Sequence, residues 1–319
     1  MAAFELEADR HVFGLHRALS AGRYRTGGYR LIAIREPKRR LIAAASVQDR
    51  VVHHAVHRVL APLLDRGLVD STYACLPGRG SHRAVLAFLA ALRRHRYALL
   101  LDVRRYFVSI DRAILLDVME RRLKDRRLLG LLAVVAHSGE GLYRRPGVPE
   151  YLGFEPAFPP PGCGLPIGNL TSQWWGNHYL SGLDHFVKRE LKLPHAQRYL
   201  DDLAPLADSR SRLSEARAAV AEWLRRERRL ELKDPAARVR STQGSFRYLG
   251  YRVRRSGIGR TAEGLRRFRE RVGELVRQGR LDEIERSIAS FKGSLFFPAY
   301  PLGVGRGEDD EMTFLTTEL

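Results

Sequence analysis

The spacing of apolar residues predicts that most of the chain is helical. The segment VQDRVVHHAVHRVLAPLLDRG has a helical period and places five apolar residues on one predicted face: Val51, Val52, Ala55, Val59 and Leu60. The same period predicts helices near the N-terminus, in GSHRAVLAFLAALRRH, in DRAILLDVMERRL, over residues 171–192, in SRLSEARAAVAEWLRRERRL and, as two basic helices, within residues 262–295. Asp111 or Ser109 is the expected N-cap of DRAILLDVMERRL.

Short apolar runs between these helices predict strands. LIAIREPKRRLIAAAS is typical of two short strands around a basic turn at residues 35–40. YALLLDV is a wholly apolar run that ends in an acid, which favours a buried strand. HAQRYL and LAPLA flank two adjacent acids and predict a hairpin, whereas SFRYLGYRVRR predicts a strand pair or a turn. Residues 139–166 are dense in Gly and Pro and are expected to form a loop, so the pattern as a whole is α+β.

The charge of the chain indicates what kind of partner it has. The 319 residues include 55 Lys and Arg against 36 Asp and Glu, which gives a formal net charge of +19. Such an excess favours a polyanion held through its phosphates, most simply nucleic acid; the alternative is a solvated basic surface. Because 45% of the residues are hydrophobic, the chain is expected to fold around a core rather than to stay disordered.

The cysteines and the N-terminus indicate which cellular compartment is expected. Cys75 and Cys163 are the two cysteines, and neither belongs to a Cys-x-x-Cys pair, so no zinc site is expected. A reducing, cytoplasmic setting is expected for such a chain. The N-terminus has no apolar signal core and no stretch reaches the length of a membrane span, so no membrane association is expected.

The adjacent acids in RYLDDL are the strongest chemical signal. Aspartates are common at hairpin tips simply because they suit turns. Asp201 and Asp202, however, lie between apolar residues, where neighbouring anions repel each other unless a cation compensates them. Asp102 ends the run YALLLDV, and it meets the other two if that strand lies beside the hairpin. Three carboxylates with open positions suit Mg²⁺, and a basic chain suits a phosphate substrate, which together indicate two-metal phosphoryl transfer.

The order of these segments resembles that of a reverse transcriptase, from YRLIAIREPKRRLI to SIASFKGSLFF. RYLDD is similar to the Tyr-x-Asp-Asp motif of that family, and LLLDVRRYFVSID is similar to the motif that carries its first catalytic Asp. GLPIGNLTSQ and FRYLGYRV make the combination specific. The resemblance implies RNA-directed DNA synthesis with two Mg²⁺ ions, for which Mn²⁺ substitutes, and it implies template RNA, a primer or cDNA strand and dNTPs as partners.

Within that family, the chain most resembles the enzymes of diversity-generating retroelements. The resemblance lies in DRVVHHAVHRVLAPLLDRGLVDSTYACLPGRGSH, GLPIGNLTSQWWGNHYLSGLDHFVKREL and SIASFKGSL. Such enzymes copy a template RNA into mutated cDNA, usually with a small basic accessory protein. Group II intron enzymes and defence-associated bacterial reverse transcriptases share much of the pattern and stay open as alternatives. A catalytically silent RNA-binding protein on a polymerase scaffold is a third alternative, which the intact set of three acids disfavours.

The resemblance implies an α+β right-hand polymerase fold. Its fingers, with an N-terminal helix, are expected over residues 1–95. The palm, a small antiparallel sheet backed by helices, is expected over residues 96–250 and includes the loop 139–166. A helical thumb is expected over residues 251–303, and the tail 304–319 is expected to be frayed.

The resemblance assigns the catalytic and metal-binding roles residue by residue. Asp102, Asp201 and Asp202 match the catalytic acids that hold the metal ions, and the Val103 carbonyl matches a backbone ligand. Phe107, five positions after Asp102, matches the steric gate whose ring selects deoxynucleotides; the alternative is a core aromatic residue. Arg40 matches a residue of the fingers that binds the triphosphate, assisted by Lys38 or Arg35, and the alternative for each is a solvated basic turn.

The segment GLPIGNLTSQ is expected to back the incoming nucleotide through Ile167, Gly168 and Gln173, with Asn169 or Thr171 as the cap of the helix that follows. Many reverse transcriptases have a nucleotide-contacting Gln where this chain has Ile167. An apolar residue makes no such contact, so looser checking of the new base pair and lower fidelity are expected. The alternative is that Ile167 only packs.

Two further matches concern the primer and its phosphates. FRYLGYRV resembles the primer grip, which gives Tyr248, Leu249 and Gly250 a role at the 3′ end of the primer. Thumb residues expected to follow the phosphates, or else to form a solvated helix face, are Arg266, Arg267, Arg269 and Arg271. Pro205 departs from the pattern, because a strand residue without an N–H is expected only where the strand lies at an edge or ends early.

Overall fold

The computed structural model describes residues 7–35 and 38–293. These described residues fall into two compact units, which divide between Ile258 and Gly259. The described residues exclude the middle of the basic turn at 36–37, the end of the predicted thumb beyond residue 293 and the predicted frayed tail at 304–319. No helix in the described ranges is long and apolar enough to cross a membrane.

Helices and strands follow one another in the mixed order that the sequence pattern predicted. The helices are α1 (Ala8–Ser20), α2 (Val47–Leu64), α3 (Ser81–Arg94), α4 (Tyr106–Ser109), α5 (Arg112–Glu120), α6 (Arg126–His137), α7 (Val148–Leu152), α8 (Leu170–Tyr179), α9 (Ser181–His185), α10 (Arg210–Arg228), α11 (Ala262–Arg277) and α12 (Leu281–Gly293). The strands are β1 (Arg30–Ile34), β2 (Arg40–Ala44), β3 (Tyr97–Ala98), β4 (Leu101–Asp102), β5 (Ala196–Tyr199), β6 (Asp202–Ala207), β7 (Arg240–Ser241), β8 (Phe246–Tyr248), β9 (Tyr251–Arg254) and β10 (Gly257–Arg260).

Helix α2 forms where the pattern predicted a helix, but its buried face differs from the predicted one. Val52, Val56 and Leu60, spaced by four residues, are buried. Ala55 is exposed, and 65% of the Val59 surface is accessible, so the expected apolar face was wrong at these positions. The predicted face was read from apolar residues alone, whereas the position of the helix against the core decides which of several apolar stripes is covered.

The predicted hairpin, β5 and β6, forms one side of the central sheet. Strand β6 pairs antiparallel with β5 on one side, and with β4 and β3 on the other, while β7 extends the sheet beyond β3. The run YALLLDV is therefore not one strand, since Leu99 and Leu100 interrupt it between β3 and β4.

That interruption explains how Pro205 fits into a central strand. The Pro205 carbonyl accepts a hydrogen bond from the Leu99 N–H at 3.0 Å, so the Pro205 nitrogen faces the same side, at the break between β3 and β4. The strand is neither at an edge nor cut short, contrary to both expectations. The neighbouring strand is interrupted instead, and the missing donor costs no regular ladder bond.

Helices back the sheet and hold most of the apolar core. Trp174, Trp175 and Tyr179 of α8 are buried in a cluster that also includes residues of α2, α5, α6 and α10. The helix predicted over residues 171–192 begins at Leu170 and is divided at Leu180 into α8, α9 and a π-helical turn at Phe186–Glu190. The predicted loop 139–166 is largely irregular, with one 3₁₀ turn at Leu142–Arg144 and the short helix α7.

The hairpin of β1 and β2 packs on a smaller apolar cluster. Its buried members are Leu41, Ala43, Val108, Leu142, Tyr143 and Val148. Strands β1 and β2 pair antiparallel from Arg30–Ala44 to Ile34–Arg40, as the sequence predicted for a strand pair around a basic turn. This cluster joins the hairpin to the loop 139–166. Lys38 and Arg40 lie at the turn end of the hairpin.

The second unit contains the two helices predicted within residues 262–295. Thr261 caps α11 by accepting a hydrogen bond from the Gly264 N–H at 3.1 Å, and Phe268 of α11 stacks on Phe291 of α12 with ring centroids 3.9 Å apart. Helix α11 is rich in Arg, but α12, with the sequence LDEIERSIASFKG, has more acidic than basic residues. The expectation of two basic helices was therefore wrong for α12.

Candidate active site

The turn between β5 and β6 carries the adjacent acids. Tyr199 pairs with Asp202, which leaves Leu200 and Asp201 as a two-residue hairpin loop. Leu200 has a φ of +53°, a conformation that side chains with a Cβ seldom adopt. The turn therefore needs support from its surroundings to stay in this form.

Strand β4 brings the third acid to the same place. Asp102 lies directly opposite Asp202 in the antiparallel register, and the Val103 N–H donates to the Asp201 carbonyl at 3.3 Å. Opposed residues in such a pair project to the same face of the sheet. The structure thus brings Asp102, Asp201 and Asp202 together at one end of the sheet, with the Val103 backbone beside them.

The surroundings of Asp201 and Asp202 disfavour the ionised form of both carboxyl groups. Burial, and next the negative charge of Asp102, raise the pKa of Asp201 to about 6. Burial, together with the charges of Asp201 and Asp102, raises the pKa of Asp202 to about 7. Carboxylates that repel each other in a half-buried place are stabilised by a cation, which removes the repulsion.

Lys233 is the nearest basic partner of this group. Its ammonium forms an ion pair with an Asp102 carboxylate oxygen, and its backbone N–H donates to the Asp102 carbonyl at 2.8 Å. The hydrogen bond to Asp102 raises the pKa of Lys233, so the lysine stays charged. The segment around Lys233 continues alongside Asp102, because the Arg104 N–H donates to the Glu231 carbonyl at 2.9 Å.

The three aspartates supply the type of ligand atom that Mg²⁺ binds. Mg²⁺ prefers a few carboxylate oxygens and leaves room for substrate phosphates, and three neighbouring aspartates that repel each other supply such oxygens. In the part of the chain that the structure describes, no group of three or more His, Cys, Asp or Glu side chains is already arranged around a shared point. The Lys233 ammonium bonds Asp102 through Oδ2, so it competes with a metal ion for that one carboxylate oxygen.

Basic residues of the hairpin β1–β2 lie within electrostatic range of these acids. Arg40, the first residue of β2, lowers the pKa of Asp201, and Lys38 lowers the pKa of Asp202, each against the stronger raising effects. Both side chains are exposed, as is Arg35 after β1. The expected grouping of Arg40 and Lys38 with the acids is found, while their role in nucleotide binding stays a prediction.

Phe107 lies in the short helix α4 that follows Asp102. A Cβ added to Gly176 of α8 would lie 3.3 Å from the rings of both Phe107 and Tyr106, and 3.6 Å from a methyl group of Leu200. Tyr106 also donates its hydroxyl to the Gly176 carbonyl at 2.5 Å. Gly176 therefore lets the Phe107 helix and the aspartate turn approach α8 closely, and it sets where the Phe107 ring can lie.

The segment before α8 docks on strand β2. The Ile167 carbonyl accepts from the Ala43 N–H at 2.7 Å, and a Cβ on Gly168, whose φ is +119°, would meet Ile42 at 2.9 Å. The Ile167 side chain packs against the smaller apolar cluster. Gln173 is exposed and accepts a hydrogen bond from the Cys75 thiol at 3.7 Å.

The predicted caps of α8 are not formed. Asn169 stands at the N-cap position but donates its side-chain amide to the Tyr29 hydroxyl at 2.8 Å instead of accepting from the helix. Thr171 lies inside the helix, and its side chain does not cap it. Tertiary contact with Tyr29, which no local pattern reveals, takes Asn169 away from the cap. By contrast, Asp111 caps α5 as predicted, accepting from the Ala113 N–H at 2.9 Å.

The predicted primer grip is a tight hairpin. Tyr248 of β8 pairs with Tyr251 of β9, and the loop residues Leu249 and Gly250 both have positive φ, as a two-residue hairpin requires. Tyr248 is buried with its ring 4.6 Å from that of Phe88. Burial, and next the charge of Asp202, raise the pKa of Tyr248, which places this residue within electrostatic range of the acids.

The predicted thumb residues lie on α11 of the second unit. Arg266 pairs with Glu270 at 2.9 Å and Arg267 with Glu263 at 3.3 Å, while Arg269 and Arg271 are exposed. Two of the four arginines are thus engaged within their own helix. Their contact with nucleic acid stays a prediction.

Three residues near the acids were missed by sequence reasoning. Lys233, Arg198 and Gly176 each contact the aspartates, their turn or the Phe107 helix. Arg198 is the first residue of RYLDDL. An arginine inside a predicted buried strand is the signal by which its role could have been predicted. Lys233 follows a predicted helix in an irregular stretch, and its pairing with Asp102 depends on a contact 131 positions apart.

Comparison with known sequences gives a match over most of this region. The sequence model of a family described as "Reverse transcriptase (RNA-dependent DNA polymerase)" matches residues 34–253. The chain is 25% identical over 85 residues to nuclear intron maturase 1, mitochondrial, of Arabidopsis thaliana, covering 27% of this chain and 12% of that protein. It is 26% identical over 123 residues to protein YkfC of Escherichia coli strain K12, covering 35% of this chain and 32% of that protein. The matches thus span less than a third of either curated relative.

Solved structures share the fold. Apo telomerase from Candida tropicalis superposes with a TM-score of 0.53 at 8% identity, over 74% of this chain and 49% of that one. Telomerase from Candida albicans, in complex with a fragment of telomeric RNA, superposes with a TM-score of 0.50 at 10% identity, over 76% and 48%. At such identities the similarity shows the mixed α+β polymerase fold and nothing further.

Proposed function

The chain belongs to the reverse transcriptase (RNA-dependent DNA polymerase) family, and from that premise we propose that it copies an RNA template into DNA. The substrates are a template RNA, a DNA primer or growing cDNA strand, and deoxynucleoside triphosphates. A formal net charge of +19 supports nucleic-acid partners, since phosphates are held by Lys and Arg.

A single observation supports the proposal above the others. Asp102 lies opposite Asp202 across the sheet, with Asp201 in the adjoining turn, although Asp102 and Asp201 are 99 positions apart along the chain. A silent scaffold has no need of a third acid whose charge raises the pKa of Asp201 and Asp202. Their repulsion is unfavourable for the fold and useful for a site that binds cations.

The residues of the site take distinct roles in this proposal. Asp102, Asp201 and Asp202, with the Val103 carbonyl, would hold two Mg²⁺ ions. Bound Mg²⁺ supplies positive charge that lowers the pKa of the primer 3′-hydroxyl and stabilises the pyrophosphate leaving group.

Side chains around the acids orient the substrates. Arg40 and Lys38 bind the triphosphate, assisted by Arg35, with Ile167, Gly168 and Gln173 behind the nucleotide. The Phe107 ring excludes a ribose 2′-hydroxyl. The turn Tyr248–Gly250 holds the primer end, and Lys233 orients Asp102 until the metal and substrate arrive.

A primer-extension assay tests the proposal. Wild-type protein with Mg²⁺, dNTPs and a DNA primer annealed to RNA is expected to extend the primer, and chelation by EDTA is expected to abolish extension. Asp201→Ala is expected to be inactive, while Asp208→Ala, which changes an exposed aspartate just beyond the end of β6 that is opposite the turn, serves as the matched control. Equal extension by the wild type and Asp201→Ala would show that the assigned centre is wrong.

The biological role we propose is that of a diversity-generating retroelement acting in the cytoplasm. The sequence resemblance supports this role, as does Ile167, an apolar residue in the segment that backs the nucleotide. An error-prone cDNA and a small basic accessory protein follow from the role. A repeated template segment and a variable copy near the gene would support it, whereas their absence would favour the group II-like or defence-associated alternatives.

Fidelity is tested at Ile167 directly. Sequencing of cDNA made by the wild type and by Ile167→Gln is expected to show fewer misincorporations in the variant, since Gln can bind the nucleotide through a polar contact. Ile167→Leu keeps an apolar residue in the same cluster and controls for repacking. An error spectrum that is the same in all three proteins would reduce Ile167 to a packing residue.

A further inference from the structure

Directly beneath the aspartate turn lies a charged group with no role in the proposed chemistry. Arg198 of β5 is 1% exposed, and Asp184 of α9 is 4% exposed. They form a two-pronged ion pair, from Arg198 Nε to Asp184 Oδ1 and from Arg198 Nη2 to Asp184 Oδ2, both at 2.7 Å. This pair lies within the core, two positions before the hairpin turn begins its reversal.

Every N–H of the Arg198 guanidinium has an acceptor. Besides the two bonds to Asp184, it donates to the side chain of Asn177 at 3.3 Å and to the Asn177 carbonyl at 3.0 Å. The fifth bond goes from Nη1 to the Leu200 carbonyl at 3.0 Å. The guanidinium therefore connects α8, α9 and the aspartate turn through one rigid, planar group.

The partners of Arg198 are themselves held. Thr72 donates its hydroxyl to Asp184 Oδ2 at 2.9 Å, and the Asn177 amide donates to the Ala74 carbonyl. The Arg198 backbone is fixed as well, since its N–H donates to Ser71 at 2.8 Å and its carbonyl accepts from Tyr73 at 2.9 Å. The Arg198 head group thus has little freedom to move toward or away from the turn.

The bond to Leu200 has a specific consequence for the acids. Leu200 adopts a positive φ, which is unfavourable for a residue with a Cβ, so the turn is not held by its own conformational preference. The Leu200 carbonyl belongs to the peptide group that joins Leu200 to Asp201. Fixing that peptide plane fixes the direction in which the Asp201 side chain leaves the backbone, and the same strand continues into Asp202.

Stability alone does not account for an ion pair in this place. Well-packed apolar residues of similar volume stabilise a core as well as a buried ion pair does, because both charges must first be removed from water. A guanidinium differs from an apolar group in that it fixes several acceptors in one geometry. The fifth donor, aimed at the turn rather than at the ion pair, is the feature that an apolar replacement could not supply.

We propose that Arg198 is a positioning residue for the metal-binding carboxylates: it holds the Leu200 carbonyl, and through it the turn of Asp201 and Asp202, while Asp184 and Asn177 hold Arg198. The inference rests on the proposed function of the turn. Arg198 contacts neither metal nor substrate. It acts only by keeping two repelling carboxylates where a divalent cation can bind both.

Arg198→Lys tests the proposal, because it keeps the charge and removes the fork. In a titration of Mn²⁺ followed by the signal of free Mn²⁺, the variant is expected to bind about 10-fold more weakly than the wild type, as for other residues that orient metal ligands. Single-nucleotide incorporation is expected to fall about 100-fold, because small misplacements of reacting groups have such effects. The Kd for primer–template is expected to stay within about twofold, since phosphate contacts elsewhere dominate it.

Arg228→Lys is the matched control. Arg228 is also a largely covered arginine that donates to a backbone carbonyl, that of Tyr179, but it lies over Trp223 on the helical side of the sheet. Its substitution is expected to lower the thermal midpoint and to leave Mn²⁺ binding and the incorporation rate unchanged. If Arg198→Lys behaves in the same way, a lower midpoint with wild-type Mn²⁺ affinity and rate, the positioning role is overturned.

Asp184→Asn keeps the test decisive if Arg198→Lys does not fold. The substitution preserves the size of the side chain and one acceptor oxygen, and it loosens Arg198 without removing it. It is expected to weaken Mn²⁺ binding in the same direction by about 3-fold, less than the loss for a removed orienting group. A folded Asp184→Asn protein with wild-type Mn²⁺ affinity and incorporation rate would also refute the inference.

The Mn²⁺ titration separates this inference from the proposed function. A wild-type protein that binds Mn²⁺ but extends no primer would refute the polymerase proposal, and the effect of Arg198→Lys on Mn²⁺ affinity would still decide the positioning role. A wild-type protein that binds no Mn²⁺ would overturn both.

Discussion

Acids in two neighbouring groups, Asp184 of helix α9 and the pair Asp201 and Asp202 at the turn between β5 and β6, are linked through Arg198 and have opposite electrostatic surroundings. Asp184 is deeply buried, yet Arg198 matches both of its oxygens and Thr72 adds a third bond. Asp201 and Asp202 are less buried, yet burial and mutual repulsion raise the pKa of both. The first group is complete within the protein, whereas the second has a deficit of positive charge.

The difference shows how one protein uses acids for structure and for chemistry. A carboxylate with a full set of partners fixes neighbouring groups and gains nothing from an added cation. Carboxylates that repel each other in a half-buried place are disfavoured in the ionised form, and a cation bound there would relieve that repulsion. Arg198 joins the two groups, since its remaining donor reaches the turn of the second.

The largest expected effect separates the two groups by activity. Asp201→Asn is expected to lower nucleotide incorporation by at least about 1,000-fold, because a metal ligand is lost. The same variant is expected to be no less stable than the wild type in thermal melts without metal, since the repulsion between Asp201 and Asp102 disappears. A large loss of stability in Asp201→Asn would mean that the turn acids, like Asp184, are structural.

The next largest effect concerns the stability that the ion pair between Asp184 and Arg198 gives the fold. Asp184→Ala leaves the buried Arg198 charge without its partner and is expected to lower the free energy of unfolding by about 3–5 kcal/mol. Denaturant unfolding measures it. Asp208→Ala, which removes the exposed partner of His95, is the control and is expected to leave the free energy of unfolding nearly unchanged, because solvent screens an exposed pair. Equal losses in both variants would contradict the distinction between the pairs.

A smaller effect is expected when Lys233, the partner of Asp102, is replaced. Lys233→Met removes the ammonium beside Asp102 and is expected to slow nucleotide incorporation about 10-fold, below the loss for a fully buried electrostatic donor. Lys233→Arg keeps the charge and is expected to recover most of the rate. A rate in Lys233→Met equal to that of the wild type would show that the ion pair to Asp102 has no part in the reaction.

The raised pKa values predict a pH effect on the metal-free protein. The folded state holds protons on Asp201 and Asp202 more tightly than the unfolded chain does, so their contribution to stability is present below pH 4 and is lost as pH rises toward 7. In EDTA, Asp202→Asn is therefore expected to gain about 2–4 °C in thermal midpoint over the wild type at pH 7.5, and no gain at pH 4. The same gain at both pH values would argue against repulsion as its cause.

Gly176 gives the smallest effect and concerns the position of Phe107. Gly176→Ala places a methyl group 3.3 Å from the Phe107 and Tyr106 rings, which must then shift by a few tenths of an ångström. The preference for dNTPs over rNTPs is expected to change about 2- to 5-fold, as for small changes of fit in an apolar pocket. Gly130→Ala in α6, where a methyl group meets no neighbour, is the control and is expected to leave this preference unchanged. If both variants prefer dNTPs over rNTPs as strongly as the wild type does, Gly176 does not determine the position of the Phe107 ring.

Local pattern was enough for much of the fold. The helices α2, α3, α5 and α10 and the hairpin that carries Asp201 and Asp202 follow from apolar spacing and short-range turn chemistry, whereas α6 and α7 were not predicted. The errors lie where tertiary contacts override those preferences. Val59 faces solvent although its neighbours in the pattern are buried, and Asn169 bonds Tyr29 instead of capping α8.

The sequence by itself determined the kind of chemistry, since three aspartates in strand-and-turn settings on a basic chain indicate cation and phosphate binding. Only the tertiary structure decided that Asp102 lies across from Asp202, that Lys233 pairs with Asp102, and that Arg198 supports the turn from inside the core. Residue types and local spacing are properties of short segments, whereas these contacts join positions far apart along the chain. They form only when the packing of helices against the sheet fixes register and burial.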